Sequence, residues 1–352
     1  MLPVNSLLRC KSVCKSWYTL ITKPSFATAH LNCNTALKRN HRILLKCFLQ
    51  GSKRSVLSFL SDEISGDDHV PPTEITIPHS NEFLQMLGPC NGLVCLTDHD
   101  DIILCNPSIK DFRVLPPPSF NYPQGLFSST LGVGFGFDPH SSEYKVIRIA
   151  ELYEDDESGG YKFHSVNVEI YNLSTNSWRE IDVVVPCVWF FPCSELLFNE
   201  HFHWWANDED YGGESLLSFH ISNEVFQQIR LPNVCAFPDG NERAFLVLNE
   251  SIALLLFNPS EQTYFDIWLM TEYGIAESWT KQFTTGPLVQ VERPVLFWKH
   301  ALLMEKANGQ LVSYDLRSQR LKEFQLYGAQ KSLRAVAYSE SLVSMKRERD
   351  IK

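Results

Sequence analysis

Three features of this sequence predict a mainly β fold: a six-bladed β-propeller-like domain preceded by a short α-helical segment. From His41 onward, short apolar runs are cut by turn residues roughly every eight to twelve positions, the rhythm of an all-β chain. One strand–turn–strand unit recurs along almost the whole length. Helical spacing of apolar residues is confined to the first twenty-one residues.

The chain opens MLPVNSLLRCKSVCKSWYTLI. Leu7, Leu8, Cys10, Val13, Cys14, Trp17, Leu20 and Ile21 fall at three-and-four spacing, with Arg9, Lys11, Lys15 and Ser16 opposite, which predicts one amphipathic helix. Pro3 sits where a proline opens a helix, because its missing N–H would be unpaired there anyway. A helix this short cannot bury a Trp and several Leu within itself. It must pack on the body of its own protein, or on a partner groove that takes the same i, i+3, i+4, i+7 anchors. Residues 22–40 read as a helix tail and connector, broken at Lys23-Pro24. The chain therefore divides into residues 1–39, helical, residues 40–340, β, and a charged tail over 341–352.

Residues 42–49 and 55–60 are strands about the turn at residues 50–53. Clear copies of the repeated unit begin at Ile102, Val168, Leu216 and Leu311, with weaker ones at Val56 and Tyr264. Markers near the end of each apolar run are Leu60, Asn106, Asn172, His220, Trp268 and Asp315, spaced by 46, 66, 48, 48 and 47 residues. The long gap holds residues 151–162, rich in acid and glycine, which read as a loop insertion. A period of about 48 residues with several strands per unit marks a propeller of the kelch type, and six markers give six blades. An irregular sandwich or barrel is the alternative.

Hydrophobic residues make up 44% of the 352-residue chain, enough for a substantial core. No apolar run is long enough to span a membrane, and no basic-then-apolar leader opens the chain, so a cytoplasmic location is expected. The ten cysteines are scattered and read as reduced thiols. A net charge of −10 argues against nucleic acid, whose phosphates need a basic surface, and favours a basic partner; solubility alone is the plainer reading.

No constellation supports catalysis. His201-Phe202-His203 places two imidazoles on one strand face, yet no further ligands stand at zinc spacing, so a packed strand beside Trp204 and Trp205 is the better reading. Cys10 and Cys14 share a helical face and read as core, and Cys187 and Cys193 belong to no redox motif. Gly132, Gly134 and Gly136 alternate along a strand, the mark of close backbone approach and not of a phosphate loop. No cofactor or metal is expected. The acid clusters are more informative: Glu151, Glu154, Asp155, Asp156 and Glu157 in the insertion, and Asp208, Glu209, Asp210 and Glu214 in the following unit. With Tyr153, Tyr161 and Tyr211 beside them they form a candidate substrate-facing rim, since propeller insertions map to loops and loops carry binding. The alternative is that these charges simply face water.

The residues Leu2, Pro3, Val4, Ser6, Leu7, Arg9, Val13, Lys15 and Trp17 resemble the second half of an F-box, whose pattern reads LPV-x-SL-x-R, a short spacer and V-x-K-x-W. The resemblance implies docking onto a Skp-type adaptor, and through it onto the cullin and RING subunits of a ubiquitin ligase. It also implies Leu2, Pro3, Val4, Leu7, Leu8, Val13 and Trp17 as the adaptor-binding residues. The family's earlier LP-x-[DE] helix would fall before Met1, so the box is expected to be truncated at its N-terminus.

The segments Leu87-Gly88-Pro89-Cys90-Asn91-Gly92, Asn106-Pro107-Ser108, Val133-Gly134-Phe135-Gly136-Phe137-Asp138-Pro139, Tyr144-Lys145-Val146 and Ser177-Trp178-Arg179 resemble the plant F-box-associated region. Within that group the chain is most similar to the S-locus F-box proteins of gametophytic self-incompatibility. That resemblance implies a non-catalytic substrate receptor whose substrates are S-RNases, basic ribonucleases met in the pollen-tube cytosol. An F-box receptor for an unrelated plant protein, and a propeller lectin or enzyme, are the other readings.

Overall fold

The structure, a computed structural model, describes residues 2–36, 41–60, 74–77, 84–98, 101–118, 125–155, 160–186, 189–190, 196–208, 213–232, 242–260 and 262–345. The chain divides into two compact units, Met1–Leu115 with Arg334–Lys352, and Pro116–Leu333.

In the first unit the opening run forms two helices, α1 (Val4–Cys10) and α2 (Lys15–Thr22), where the spacing predicts one. The chain leaves helical geometry before Cys14, whose backbone is extended (φ −159°, ψ 163°), and the Ser12 hydroxyl donates to the Arg9 carbonyl at 2.7 Å, a local bond that competes with helix continuation. Pro24 opens a third helix, α3 (Pro24–Ala36), in the stretch read from sequence as a helix tail and connector. The inner face of α3 carries Ala27, His30, Leu31 and Asn34, at i, i+3, i+4 and i+7, all buried. His30 Nε2 donates to the Leu2 carbonyl at 3.0 Å and Nδ1 accepts from the Asn34 amide at 3.3 Å, an assignment fixed by the partners.

Two antiparallel sheets follow. The first contains β1 (His41–Leu49), β2 (Arg54–Leu60) and β3 (Glu74–Thr76). The second runs through β4 (Gln85–Cys90), β5 (Leu93–Asp98), β6 (Asp101–Asn106) and β7 (Asp111–Val114). Leu44, Leu57, Val94, Leu96 and Ile103 pack together and are almost fully buried. Removing each such side chain from water contributes about 1.5–3 kcal/mol.

The second unit holds four sheets in chain order. They are β8 (Phe127–Asp138), β9 (Glu143–Asp155), β10 (Tyr161–Asn172) and β11 (Ser177–Ile181); then β12 (Trp189–Phe190), β13 (Leu196–Phe198), β14 (His201–Asp208), β15 (Gly213–His220) and β16 (Val225–Arg230). Next come β17 (Glu242–Leu248), β18 (Ser251–Phe257), β19 (Gln262–Met270) and β20 (Trp279–Val289), and last β21 (Val291–Trp298), β22 (Ala301–Lys306), β23 (Gln310–Asp315) and β24 (Arg320–Tyr327). The first sheet of the first unit is completed by β25 (Arg334–Ser339), which pairs with β1. One blade thus takes strands from both ends of the chain, which satisfies the edge of β1 that would otherwise stay open. The fold is a six-bladed propeller preceded by short helices, and every repeat marker lies in the third strand of its blade.

The expected insertion at residues 151–162 is a strand extension in its described part. Strands β8, β9 and β10 run for 12, 13 and 12 residues, against 6 for β5 and β6, and the ladder continues through Glu151↔Val166 and Tyr153↔Phe163 with one bulge at His164. Alternation decides this, because Ala150 and Leu152 remain buried while Glu151 and Tyr153 face outward.

Close approach explains the alternating glycines. A Cβ at Gly132 would lie 2.9 Å from Trp204 Nε1, and one at Gly134 would lie 2.6 Å from the Phe202 ring. The bare backbone of β8 therefore rests on the rings of β14, and Trp204 Nε1 donates to the Val133 carbonyl at 3.1 Å. Gly134→Ala should destabilise the fold by about 1–3 kcal/mol in denaturant titration. Gly51→Ala, with nothing within 4 Å of its Cβ, should leave the midpoint unchanged.

Candidate functional site

Two surfaces carry the candidate residues. The N-terminal run splits into a buried and an exposed set. Val4 and Leu7 are buried, packed with Ile21, Ala27 and Leu342, and Leu8 lies partly buried against the same cluster. Pro3, at the start of α1, is exposed, its carbonyl accepting from the Ser6 and Leu7 amides. Leu2, Val13 and Trp17 are 53%, 68% and 48% exposed, beside Tyr18 and Leu20 at 46% and 51%. Trp17 and Leu20 share a face of α2 at i, i+3. Large apolar side chains left in water at this density mark a docking surface.

These helices are fastened to the β part of the first unit by the end of the chain. Asn106 is fully buried, and its amide donates to the Ser341 and Val343 carbonyls at 3.0 and 2.7 Å. Its oxygen accepts from the Ser108 amide and lies 3.2 Å from the Tyr338 hydroxyl. Arg113 donates to the Met345 carbonyl, and Asp111 accepts from Ser344 and Met345. The strap over 341–345, read from sequence as part of a charged tail, thereby presses Leu342 into the helical cluster.

The second surface comprises the β9–β10 and β14–β15 hairpins of the second unit. Glu151, Tyr153, Glu154 and Asp155 lie on β9, and Tyr161 begins β10. Asp208 ends β14 and Glu214 lies on β15. Asp156, Glu157, Glu209, Asp210 and Tyr211, like Cys187 and Cys193, fall outside the described residues. Two of the acids are already neutralised: Glu154 accepts from Lys162 Nζ at 2.9 Å and lies 3.2 Å from His164 Nε2, and the Lys162 hydrogen bond holds its carboxyl below the usual range. Glu214 pairs with Arg243, which stacks 4.5 Å over the Trp205 ring and which burial pushes down to about 10. Glu151 is different. No described cation reaches it, and burial raises its carboxyl above the ordinary value.

Sequence reasoning missed Phe127 and Phe163. Register sets them directly opposite Tyr153 on either side, so three aromatic residues form a row across β8, β9 and β10. Phe127 and Phe163 are 49% and 42% exposed, and the Phe127 and Tyr153 rings lie 5.9 Å apart. Their outward alternation was the available signal; their pairing is a property of register alone.

The family of F-box associated beta propeller domains matches residues 53–345, and the F-box domain family matches residues 1–28. The chain belongs to the F-box proteins with an associated β-propeller. It is 28% identical over 377 residues to F-box protein CPR1 of Arabidopsis thaliana, covering 97% of this chain and 86% of that one. It is 25% identical to Arabidopsis F-box protein At3g07870, covering 97% and 88%, and 24% identical to At4g22390, covering 91% and 82%. This is a family of non-catalytic adaptors, which removes the propeller enzyme from the readings. An F-box implies binding to a Skp-type adaptor, so the exposed apolar surface around α2 has a partner class.

The histidine pair has a structural role. His203 is buried, Nδ1 donating to the Leu196 carbonyl at 3.1 Å and Nε2 accepting from the Tyr273 hydroxyl at 2.9 Å, which in turn accepts from Ser218. His201 packs edge-on against His220 at 4.6 Å, and among the described residues no group of three or more His, Cys, Asp or Glu is placed to hold a metal. Burial pushes His203 down to about 3. The folded state favours the neutral ring, so its contribution is complete above the unfolded value near 6.5 and is lost as pH falls toward 3. Between those limits stability should fall by at most about 1.4 kcal/mol per pH unit on this account. His203→Gln should flatten that slope between pH 7 and 5 in denaturant titrations.

The split of the N-terminal run makes a second expectation. Val13→Asp with Trp17→Ala should weaken adaptor binding at least about thirtyfold, the loss of one aromatic anchor, with an unchanged unfolding midpoint. Leu7→Ala should instead cost about 2–5 kcal/mol of stability, because its side chain fills a core. Calorimetric titration with the adaptor and thermal melts separate the two.

Proposed function

We propose that the chain is the substrate-recognition subunit of a Skp–cullin–F-box ubiquitin ligase, working in the cytoplasm. The carrying observation is the arrangement of the first unit: an exposed apolar helical surface for the adaptor, fastened through Asn106 and the strap to propeller strands. The chain itself performs no chemistry. It holds a protein so that charged ubiquitin, brought by the ligase core, meets a substrate lysine at high effective concentration.

The narrower reading, a receptor for basic S-RNases in self-incompatibility, rests on the motif resemblance and the net charge of −10. Similarity to Arabidopsis F-box proteins supports the broader reading, in which the substrate is another plant protein. One experiment addresses both. The full chain with its adaptor is incubated with pistil extract at low and moderate salt, and bound proteins are identified by mass spectrometry. Recovery of basic ribonucleases released by salt supports the narrow reading, since exposed charge pairs are screened beyond about 8–10 Å at those ionic strengths. Recovery of a different protein that the reconstituted ligase then ubiquitinates supports the broad one. A chain that fails to bind any Skp-type adaptor overturns both.

A further inference from the structure

The first 61 residues contain ten lysines and arginines and no aspartate or glutamate. At the average acid frequency of this chain about seven acids would stand there. Residues 62–352 hold the other 21 basic and all 41 acidic side chains, so a segment of net charge +10 precedes one of −20. Part of that positive charge borders the exposed apolar surface of α2. Ser12 through Leu20 are exposed without interruption, and of its eight residues α2 buries Ile21 alone. A helix this short gains little stability from its own hydrogen bonds, and Trp17, Tyr18 and Leu20 add no packing within the chain that would offset the cost. Arg9, Lys15 and Lys23 are exposed and Lys11 is half-buried, and no described carboxylate pairs with any of the four. Farther along, Arg42 and Arg54 do find partners, in Glu340 and Glu74. Lys15 opens α2, where the helix dipole disfavours a cation, and no acid stands in that first turn to offset it.

We infer that the face of the adaptor that receives Val13, Trp17 and Leu20 is acidic, with carboxylates meeting Arg9, Lys11 and Lys15. This rests on the adaptor reading of the same surface, and it names the chemistry of the partner there. The two halves of the surface divide the work. The apolar side chains hold the complex once water has left the contact. The unpaired cations around them speed the encounter with a negative surface and turn away a positive one. An anionic lipid surface offers the same charge. Lipid binding, however, grows with the apolar area inserted, and α2 offers only about two turns before the chain changes direction. A protein groove that grips Trp17 and Leu20 at i, i+3 fits so short a helix.

The test uses the full chain and a fluorescently labelled plant Skp-type adaptor, mixed by stopped flow across a salt series. The association rate should fall at least about tenfold between about 0.05 and 0.5 M NaCl, with a much smaller change in the dissociation rate. Arg9→Gln with Lys15→Gln should slow association at low salt at least about fivefold and flatten the salt dependence, with unchanged melts. Arg317→Gln with Arg320→Gln removes the same charge from exposed positions of the second unit and should match the wild type. Trp17→Ala should speed dissociation and keep the salt dependence of association. A salt-independent association rate, or a control pair that slows binding as much as the helical pair, overturns the acidic face and keeps the adaptor. Failure to bind any Skp-type adaptor at low salt overturns the reading of the surface, and the inference with it. Vesicles of phosphatidylserine and phosphatidylcholine form the second arm. Salt-sensitive capture of the chain by them, lost in the Arg9 and Lys15 variant while adaptor binding ignores salt, assigns the charge to lipid and overturns the inference.

Discussion

The geometry of the first unit depends on one buried amide. Asn106 spends both donors on carbonyls of the C-terminal strap, and its oxygen accepts from the Ser108 amide. Tyr338 in turn donates to the Gly92 carbonyl at 2.8 Å and meets Ser108 Oγ at 2.8 Å, so the network ties β25 to the second sheet and the strap to both. A buried polar group left unpaired costs about 1–3 kcal/mol, so a half-made version of this network would be worse than an apolar one. It holds because every member is satisfied together. The consequence reaches beyond stability. Leu342 enters the helical cluster only while Ser341 and Val343 are held, and the adaptor-facing helices take their position from that cluster. A ligase that works by placing a lysine near an activated carboxyl needs such a fixed joint, since positional freedom there would dilute the effective concentration it creates.

A second constraint is steric. Strand β8 can lie on Phe202 and Trp204 because alternate positions carry no side chain, and the resulting cluster of Ile147, Ile149, Phe202, Trp204 and Phe219 joins two successive blades. The polar counterpart lies beside it. Lys145, nearly buried, reaches Asp138 at 2.8 Å and Glu224 at 3.0 Å, linking the β8–β9 turn to the β15–β16 turn. Desolvation works against the Asp138 charge, but hydrogen bonds from Lys145, Ser141 and Ser222 outweigh it and hold the carboxyl well below the usual range.

What the sequence made legible follows from these causes. Repeats leave a period, and apolar strands leave alternation, so the blade count and the third strand of each blade could be read directly. The bounds of helix α3 could not, because apart from Leu31 its buried face uses Ala27, His30 and Asn34 in place of large apolar residues, and no hydrophobic stripe marks where it begins and ends. The break between α1 and α2 was hidden for the opposite reason: apolar residues keep helical spacing across a turn that has left the helix. The hairpin extension looked like a loop because acidic residues dominate its composition, although strand pairing depends on backbone and alternation more than on charge. Phe127, 26 residues upstream of Tyr153, joins the site only through register, a relation that no local pattern encodes.

Formal charge was the least faithful guide to the binding surface. Counting acids on the hairpins suggests a uniformly negative rim, yet Glu154 is met by Lys162 and His164, and Glu214 by Arg243. An exposed pair such as Glu154–Lys162 adds little to stability and presents almost no net field to a partner. What remains is Glu151, partly exposed on β9, which no described cation reaches and whose carboxyl burial raises above the ordinary value. The field these hairpins present is therefore set less by how many acids they carry than by which of them the described cations leave unmet.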